Sequence, residues 1–223
     1  MTDSIRDQIF LLTPFVKDLE QLAATKKDKN MQAVVQNALK ALEYQDIEPS
    51  IELLITYIDD KNQSVQSTCI QAYQDLFTSK QFDFFLSANH SHLLLKSLIN
   101  IISTVKVKLQ IFTDACQCLN YFVLSTNQQL YIHNSEIDFL LSQLLSIHCK
   151  QTTEASRKPI EAILKRFLHN LESMAARSTE KVDDYICSDI KTSTDSLIKA
   201  IQNENMTPDT AKLILFLLNS IVF

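Results

Sequence analysis

The segment IEPSIELLITYIDDKNQSVQSTCIQAYQDLF, residues 47–77, decides the fold. It opens with an apolar helix in which Pro49 falls near the first turn, where a missing N–H is tolerated because it has no helical partner. The polar run Asp59 to Gln63 ends that helix, and a second apolar helix follows from Ser64, its predicted N-cap. The segment therefore predicts two helices joined by a short turn.

The same two-helix pattern recurs along the chain. Further apolar first helices are predicted over 93–102, 137–147 and 189–202, and their partner helices begin near residues 108, 157 and 208. The partner helices are spaced by roughly 44 to 51 residues, close to the period of about 40–47 residues that is typical of stacked helical repeats. A helical pair cannot bury its apolar face alone, so stacking on copies of itself is expected. Pro159 and Pro208 are predicted to lie in first turns, with Thr207 as the cap before Pro208.

Composition favours helices and excludes several kinds of chemistry. The 223 residues contain no glycine and only four prolines. Without glycine, tight hairpin turns are costly, and a β-rich fold is disfavoured. Phosphate-binding loops, dinucleotide-binding turns and nucleophile elbows also depend on glycine. We therefore predict that the chain is not an enzyme and that it uses no cofactor.

The net charge and the cysteine content limit which partners and which cellular compartment the sequence favours. The net charge of −5 gives no field that would attract nucleic acid, and no apolar stretch reaches the length of a membrane span. The five cysteines fall mostly in apolar helical stretches and are predicted to be buried, reduced thiols: Cys69, Cys116, Cys118, Cys149 and Cys187. We therefore predict a cytoplasmic protein, with the nucleus as the alternative.

The cysteines and one histidine suggest a candidate zinc site. Cys116 and Cys118 would have to act with His148 and Cys149. Residues two apart on a helix diverge by about 200°, so their sulfurs cannot easily reach one tetrahedral ion. The sequence predicts no metal site.

Residues 47–77 resemble an armadillo repeat, with an apolar helix, an Asp- and Asn-rich turn, then a valine and a helix with small residues. The stretch NQQLYIHNSEIDFLLSQLL, residues 127–145, resembles the junction between such repeats, with His133-Asn134-Ser135 where the family usually has glycine. The resemblance covers roughly residues 30–223 and does not separate armadillo from HEAT repeats. It implies one all-α domain, a right-handed α-solenoid of armadillo/HEAT-like repeats. Residues 1–46 would be capping helices, and 47–223 about four repeat units.

The resemblance implies a protein–protein interaction scaffold that binds a partner polypeptide on a concave surface, with a co-chaperone or an assembly factor as candidate roles. In several armadillo proteins an asparagine on the last helix of each repeat bonds the backbone of an extended peptide. The matching candidates here are Asp75, Asn120, Asn170 and Asn219. The alternative is that an exposed helical face simply carries polar residues.

Two other functions stay open. Lys106, Lys108 and Arg157 are predicted in turns along one edge of the stack, which resembles tubulin-binding HEAT modules of the TOG type. Those modules usually carry an exposed aromatic residue, often tryptophan, in the first turn, whereas this chain has no tryptophan and an acidic turn there. A helical enzyme is the remote alternative, and it predicts a closed pocket with one strongly perturbed titrating group.

The last predicted helix raises the question of oligomeric state. The run LILFLLNSIVF, residues 213–223, is strongly apolar, whereas a solenoid needs a polar outer cap. Burial by a neighbouring helix, a homodimer interface and truncation of a longer array all explain it.

Overall fold

The computed structural model describes residues 13–26, 29–42, 44, 46–78, 87–104, 107–123, 134–177, 184–202 and 206–221. These residues form ten α-helices and no strand, so the prediction of an all-α fold is confirmed. The helices are α1 (Thr13–Lys26), α2 (Lys29–Leu42), α3 (Glu48–Tyr57), α4 (Gln63–Thr78), α5 (Ala88–Ser103), α6 (Leu109–Phe122), α7 (Asn134–Lys150), α8 (Glu154–Arg177), α9 (Asp184–Ile201) and α10 (Pro208–Ile221).

The helices pack in two layers. The first layer contains α2, α3, α5, α7 and α9, and the second contains α1, α4, α6, α8 and α10, with consecutive members of each layer in contact. Each helical pair, from α1–α2 to α9–α10, joins the two layers. Among the described helices, substantial contacts link only pairs that are neighbours in sequence, so the pairs stack in line. The handedness of this stack and its membership of the armadillo/HEAT class remain predictions.

The apolar core runs between the layers and continues from pair to pair. In α6 the buried residues recur every three or four positions, which places them on one side of the helix: Ile111, Phe112, Ala115, Cys116, Cys118, Leu119 and Phe122. Aromatic rings link α4 to α6, because Phe77 lies 6.0 Å from the ring of Tyr73 and 5.9 Å from that of Phe122. Each helix of a layer therefore buries its apolar side against two neighbours.

The start of α4 differs from the prediction. The Oδ1 atom of Asn62 accepts a hydrogen bond from the backbone N–H of Ser64 at 3.0 Å, so Asn62 caps the helix and Ser64 lies in its first turn. Asparagine and serine are both favourable N-caps and both occur in this turn, so the sequence alone does not decide which of them caps the helix. The predicted Ser64 cap is wrong by two residues.

The start of α8 also differs. The hydroxyl of Thr153 accepts a hydrogen bond from the N–H of Ser156 at 3.3 Å, and the helix begins at Glu154. Pro159 therefore lies inside the helix and not in its first turn. A proline there removes the hydrogen bond that the carbonyl of Ala155 would otherwise accept. The threonine cap lies just outside the apolar pattern, which explains why that pattern placed the start too late.

Two other helix starts show the same effect of polar caps. Helix α5 begins at Ala88, several residues before its apolar run, because the hydroxyl of Ser87 accepts from the N–H of His90 at 3.2 Å. At α10 the prediction is confirmed, since the Thr207 hydroxyl accepts from the N–H of Thr210 at 3.3 Å ahead of the first turn. None of the described helices is long and apolar enough to cross a membrane.

Two leucines of α6 test the assignment of its buried side. Leu119 is fully buried, whereas Leu109 is 63% exposed. We expect Leu119→Ala to lower the free energy of unfolding by about 2–5 kcal/mol, because it leaves a cavity in a packed interior. Leu109→Ala, the matched control, should change it by less than about 0.5 kcal/mol. Urea denaturation followed by circular dichroism measures both, and equal effects would contradict the assignment.

Candidate functional site

A polar groove of about 390 Å³ lies where α1, α4 and α6 meet in the second layer. We call it the amide groove. Ile111 is the one apolar residue in its lining. The polar residues are Asp18, Gln21, Gln63, Ser64, Ser67, Thr68, Gln71, Lys108 and Gln110. In the second layer α1 lies on one side of α4 and α6 lies on the other. The groove therefore runs across the helices and not along them.

Helix α4 supplies the middle of the amide groove because its two sides differ in polarity. Gln63, Ser67 and Gln71 follow one another at intervals of four residues, which places them on one side of the helix. The other side of the helix carries apolar side chains that are buried in the core, among them Val65, Cys69, Ala72, Tyr73 and Leu76. The polar side is therefore free to face a ligand while the apolar side holds the helix in place.

The amide side chains of the groove keep hydrogen-bonding capacity for a partner. Gln71 donates one hydrogen bond to Asp75 at 3.2 Å, and Gln110 donates one to Asp114 at 2.9 Å, each through Nε2. Among the described residues, neither carbonyl oxygen accepts a hydrogen bond, and each amide keeps a second N–H. An amide can accept from one peptide group and donate to the next, so such a lining suits the main chain of an extended peptide.

Two carboxyl groups meet beside the amide groove. The Oδ2 atom of Asp18 is buried and accepts no hydrogen bond from a described donor. Burial, the hydrogen bond to Asp75 and the negative charge of Asp75, in that order of size, together raise the pKa of Asp18 to about 7. Two carboxyl oxygens can bond each other only through a proton, and Asp18 carries that proton below about pH 7. No sequence motif predicts that Asp18 and Asp75 meet, because the two residues lie on separate helices.

The predicted peptide-binding residues lie on four second-layer helices, α4, α6, α8 and α10, but their surroundings differ. Asp75 is half-buried and contacts Asp18 and Gln71, next to the amide groove. The Oδ1 atom of Asn120 is buried without a hydrogen bond from the described residues. Asn219 is exposed.

Asn170 has a structural contact that the sequence did not reveal. Its Nδ2 atom donates to the carbonyl oxygen of Val123 at 3.2 Å, at the end of α6. Carbonyl groups at a helix C-terminus lack helical partners, and a side chain from the next helix satisfies this one. One donor of Asn170 therefore holds α8 against α6. The predicted binding of a peptide backbone by these residues does not require this contact, and within the described part of the chain no hydrogen bond joins the four of them.

The predicted basic turn residues also separate. Lys106 lies outside the described residues. Lys108 is exposed at the start of α6 and lines the amide groove. Arg157 forms an ion pair with Asp209, which lowers the pKa of that carboxyl and links the start of α8 to the start of α10. The basic residue placed best for a ligand is therefore Lys108.

The thiols of Cys69, Cys116 and Cys118 are buried as predicted, whereas Cys149 is only partly buried. Burial raises the pKa of Cys69 and Cys116 to about 12 and that of Cys118 still further above its usual range. A thiol with a raised pKa stays protonated, which is the opposite of what a nucleophile or a zinc ligand requires. The side chain of Cys187 lies outside the described residues.

The histidine of the predicted zinc hypothesis is part of a buried polar contact. His148 is almost fully buried, with Nδ1 2.8 Å from the Thr210 hydroxyl and Nε2 3.3 Å from the Glu161 carboxylate. Cys149 donates to the same Thr210 hydroxyl at 3.3 Å. These contacts join α7, α8 and α10 and account for both ring nitrogens.

Comparisons with known proteins do not assign a family. No protein-family model matches the chain, and no curated protein matches its sequence. Among solved structures, the chain is similar to the crystal structure of an engineered protein from the Northeast Structural Genomics Consortium. That similarity has a TM-score of 0.43 at 12% identity and covers 94% of this chain and 96% of the other. A likeness of this size carries no argument about function.

The carboxyl pair predicts an unusual dependence of stability on pH. Because the pKa of Asp18 is about 7 in the folded chain and 3.8 in a model compound, the folded chain binds an extra proton between these values. Stability therefore falls as the pH rises from about 4 to about 7. Asp18→Asn keeps the shape without the charge and donates to Asp75. We expect this variant to lose the fall and to be more stable at pH 8 by about 1 kcal/mol, since water screens a half-buried group.

Urea denaturation at pH 5 and pH 8 measures the effect. The exposed Glu20 on the same helix provides the control, and Glu20→Gln should keep the pH dependence of the original chain. An Asp18→Asn variant with an unchanged pH profile would show that the two carboxyl groups do not share a proton.

Proposed function

We propose that this chain is a protein–protein interaction scaffold of the armadillo/HEAT-like helical-repeat class, and that it binds an extended partner polypeptide in the amide groove without catalysing a reaction. The observation that carries the proposal is a groove across consecutive second-layer helices, lined mainly by amide and hydroxyl side chains, in which Gln71 and Gln110 each make one side-chain hydrogen bond among the described residues. Such a lining recognises peptide groups, which every polypeptide has, and requires no particular side-chain sequence.

Side chains at the end of the groove supply the apolar and charged contacts that a peptide complex also needs. Leu109 is 63% exposed and follows Lys108 in the sequence, and its side chain lines a neighbouring pocket together with Val107 and Phe112. A partner that extends past Lys108 would place one apolar side chain against this leucine, and a few such anchors carry most of the binding energy of an interface. Lys108 favours an acidic residue next to that anchor.

The amide groove supports binding better than it supports catalysis. Its perturbed group, Asp18, lies beside a second carboxyl group, that of Asp75. The groove is open along its length across α1, α4 and α6, whereas an enzyme site excludes water from the reacting atoms. The thiols on α4 and α6 are buried and protonated.

A selection of random peptides on the immobilised full chain tests the proposal. Peptides that bind are measured by fluorescence anisotropy against the original chain and three variants. Ser67→Arg fills the middle of the groove and Gln110→Ala removes an amide, and we expect each to weaken binding at least about tenfold, or about 1.4 kcal/mol. The control is Asn100→Arg, an exposed first-layer position on α5, which should leave binding unchanged.

Circular dichroism establishes that each variant keeps the helical content of the original chain. Peptides that bind the Ser67→Arg and Gln110→Ala variants as tightly as the original would place the binding surface elsewhere, and the proposal would fail.

A further inference from the structure

Three potential metal ligands lie together in the first layer, away from the amide groove. Glu48 and Glu52 are one turn apart on α3, so their carboxylates face the same side of the helix. His90 lies in the first turn of α5, the next helix of that layer. One ligand atom from each of the three residues lies within 4.8 Å of the other two.

His90 points to a ligand because one of its ring nitrogens, Nδ1, is buried without a hydrogen bond from or to the described residues. Its side chain is only 13% exposed, and Nδ1 is buried. That atom lies 3.3 Å from Oε1 of Glu48 but makes no hydrogen bond to the described residues. A buried polar atom without a partner is unfavourable, and so are two negative charges one helical turn apart. A cation bound between the three side chains removes both problems.

We propose that Glu48, Glu52 and His90 form a binding site for a divalent transition metal of the Zn²⁺ class. Zinc accepts imidazole nitrogen and carboxylate oxygen at about 2.0–2.2 Å, and atoms as close as these three need only small side-chain rotations to share one ion. The hard cations Ca²⁺ and Mg²⁺ prefer oxygen ligands, so the histidine disfavours them. Both glutamates are exposed, which leaves the fourth position to water.

The backbone fixes two of the ligands in position. Glu48 is the first residue of α3, and Pro49 follows it in the same turn. The N–H of His90 donates to the hydroxyl of Ser87, the cap of α5. The metal would therefore join the starts of two neighbouring first-layer helices and hold α3 against α5.

A simple ion pair between protonated His90 and Glu48 is the competing explanation. That pair needs no contribution from Glu52, whereas a three-ligand metal site does. Substitution of Glu52 therefore separates the two explanations, and because this side chain is exposed, Glu52→Gln leaves the core intact.

The chain also contains a matched control. His92 lies two residues after His90, and its Nδ1 is 2.7 Å from Oε1 of Glu136 on α7. This second contact between first-layer helices has one carboxylate and is not part of the three-ligand cluster. A loss of metal binding that follows from removing any histidine on α5 would appear in His92→Ala as well as in His90→Ala.

Isothermal titration of Zn²⁺ into the chelator-treated full chain at pH 7.5, with thermal denaturation in parallel, tests the proposal. We expect one equivalent of zinc to bind and to raise Tm in the original chain and in His92→Ala. In Glu52→Gln and His90→Ala the affinity should fall more than about tenfold, since even outer-shell changes at metal sites weaken binding by about 10- to 100-fold. The rise in Tm should be lost with it.

Failure of the original chain to bind zinc overturns the site, and so does a Glu52→Gln variant that binds as tightly as the original. If His90→Ala does not fold, the exposed Glu52→Gln variant still decides between these outcomes.

Discussion

No pair of helices in this chain can bury its own apolar sides, and the rest of the structure follows from that constraint. In α6 the buried residues are all apolar and the helix contacts α4, α5 and α8, so removing any of these neighbours would expose part of the core. Stacking pairs in line satisfies every pair except those at the ends. The same arrangement leaves one side of each second-layer helix uncovered, and polar residues occupy that side where α1, α4 and α6 form the amide groove.

Apolar contacts give the stack its stability, and polar contacts fix how neighbouring helices align within each layer. In the first layer these contacts join side chains: His92 with Glu136, and Asp138 with Ser196. In the second layer, amides donate to backbone carbonyls: Gln74 to Asp114 at 2.6 Å and Asn170 to Val123 at 3.2 Å. A hydrogen bond to a particular carbonyl requires a defined distance and angle, whereas two apolar surfaces can pack in more than one relative position. The amide of Asn170, which was predicted to bind a partner, therefore also holds two helices of the second layer together.

The sequence predicted the helices well because apolar periodicity and the missing glycine reflect local physics. Helix starts were less accurate where a polar cap stood outside the apolar run, as at Ser87 and Thr153. The candidate site was predicted only in part. Lys108 was expected at a surface, but the pairing of Asp18 with Asp75 depends on how α1 packs against α4, and no local pattern encodes that contact. The separation of Arg157 from Lys108 has the same origin, since its partner Asp209 comes from a helix further along the stack.

The claim that each pair is held only by its neighbours is tested most directly by native-state hydrogen exchange on the full chain carrying Ile214→Ala, a fully buried position in α10. An in-line stack predicts faster exchange in α9 and α10, a smaller effect in α7 and α8, and unchanged protection in α3 and α4, because a cavity at one end does not touch the other. A uniform loss of protection across all of these helices would show a single cooperative core and contradict the account.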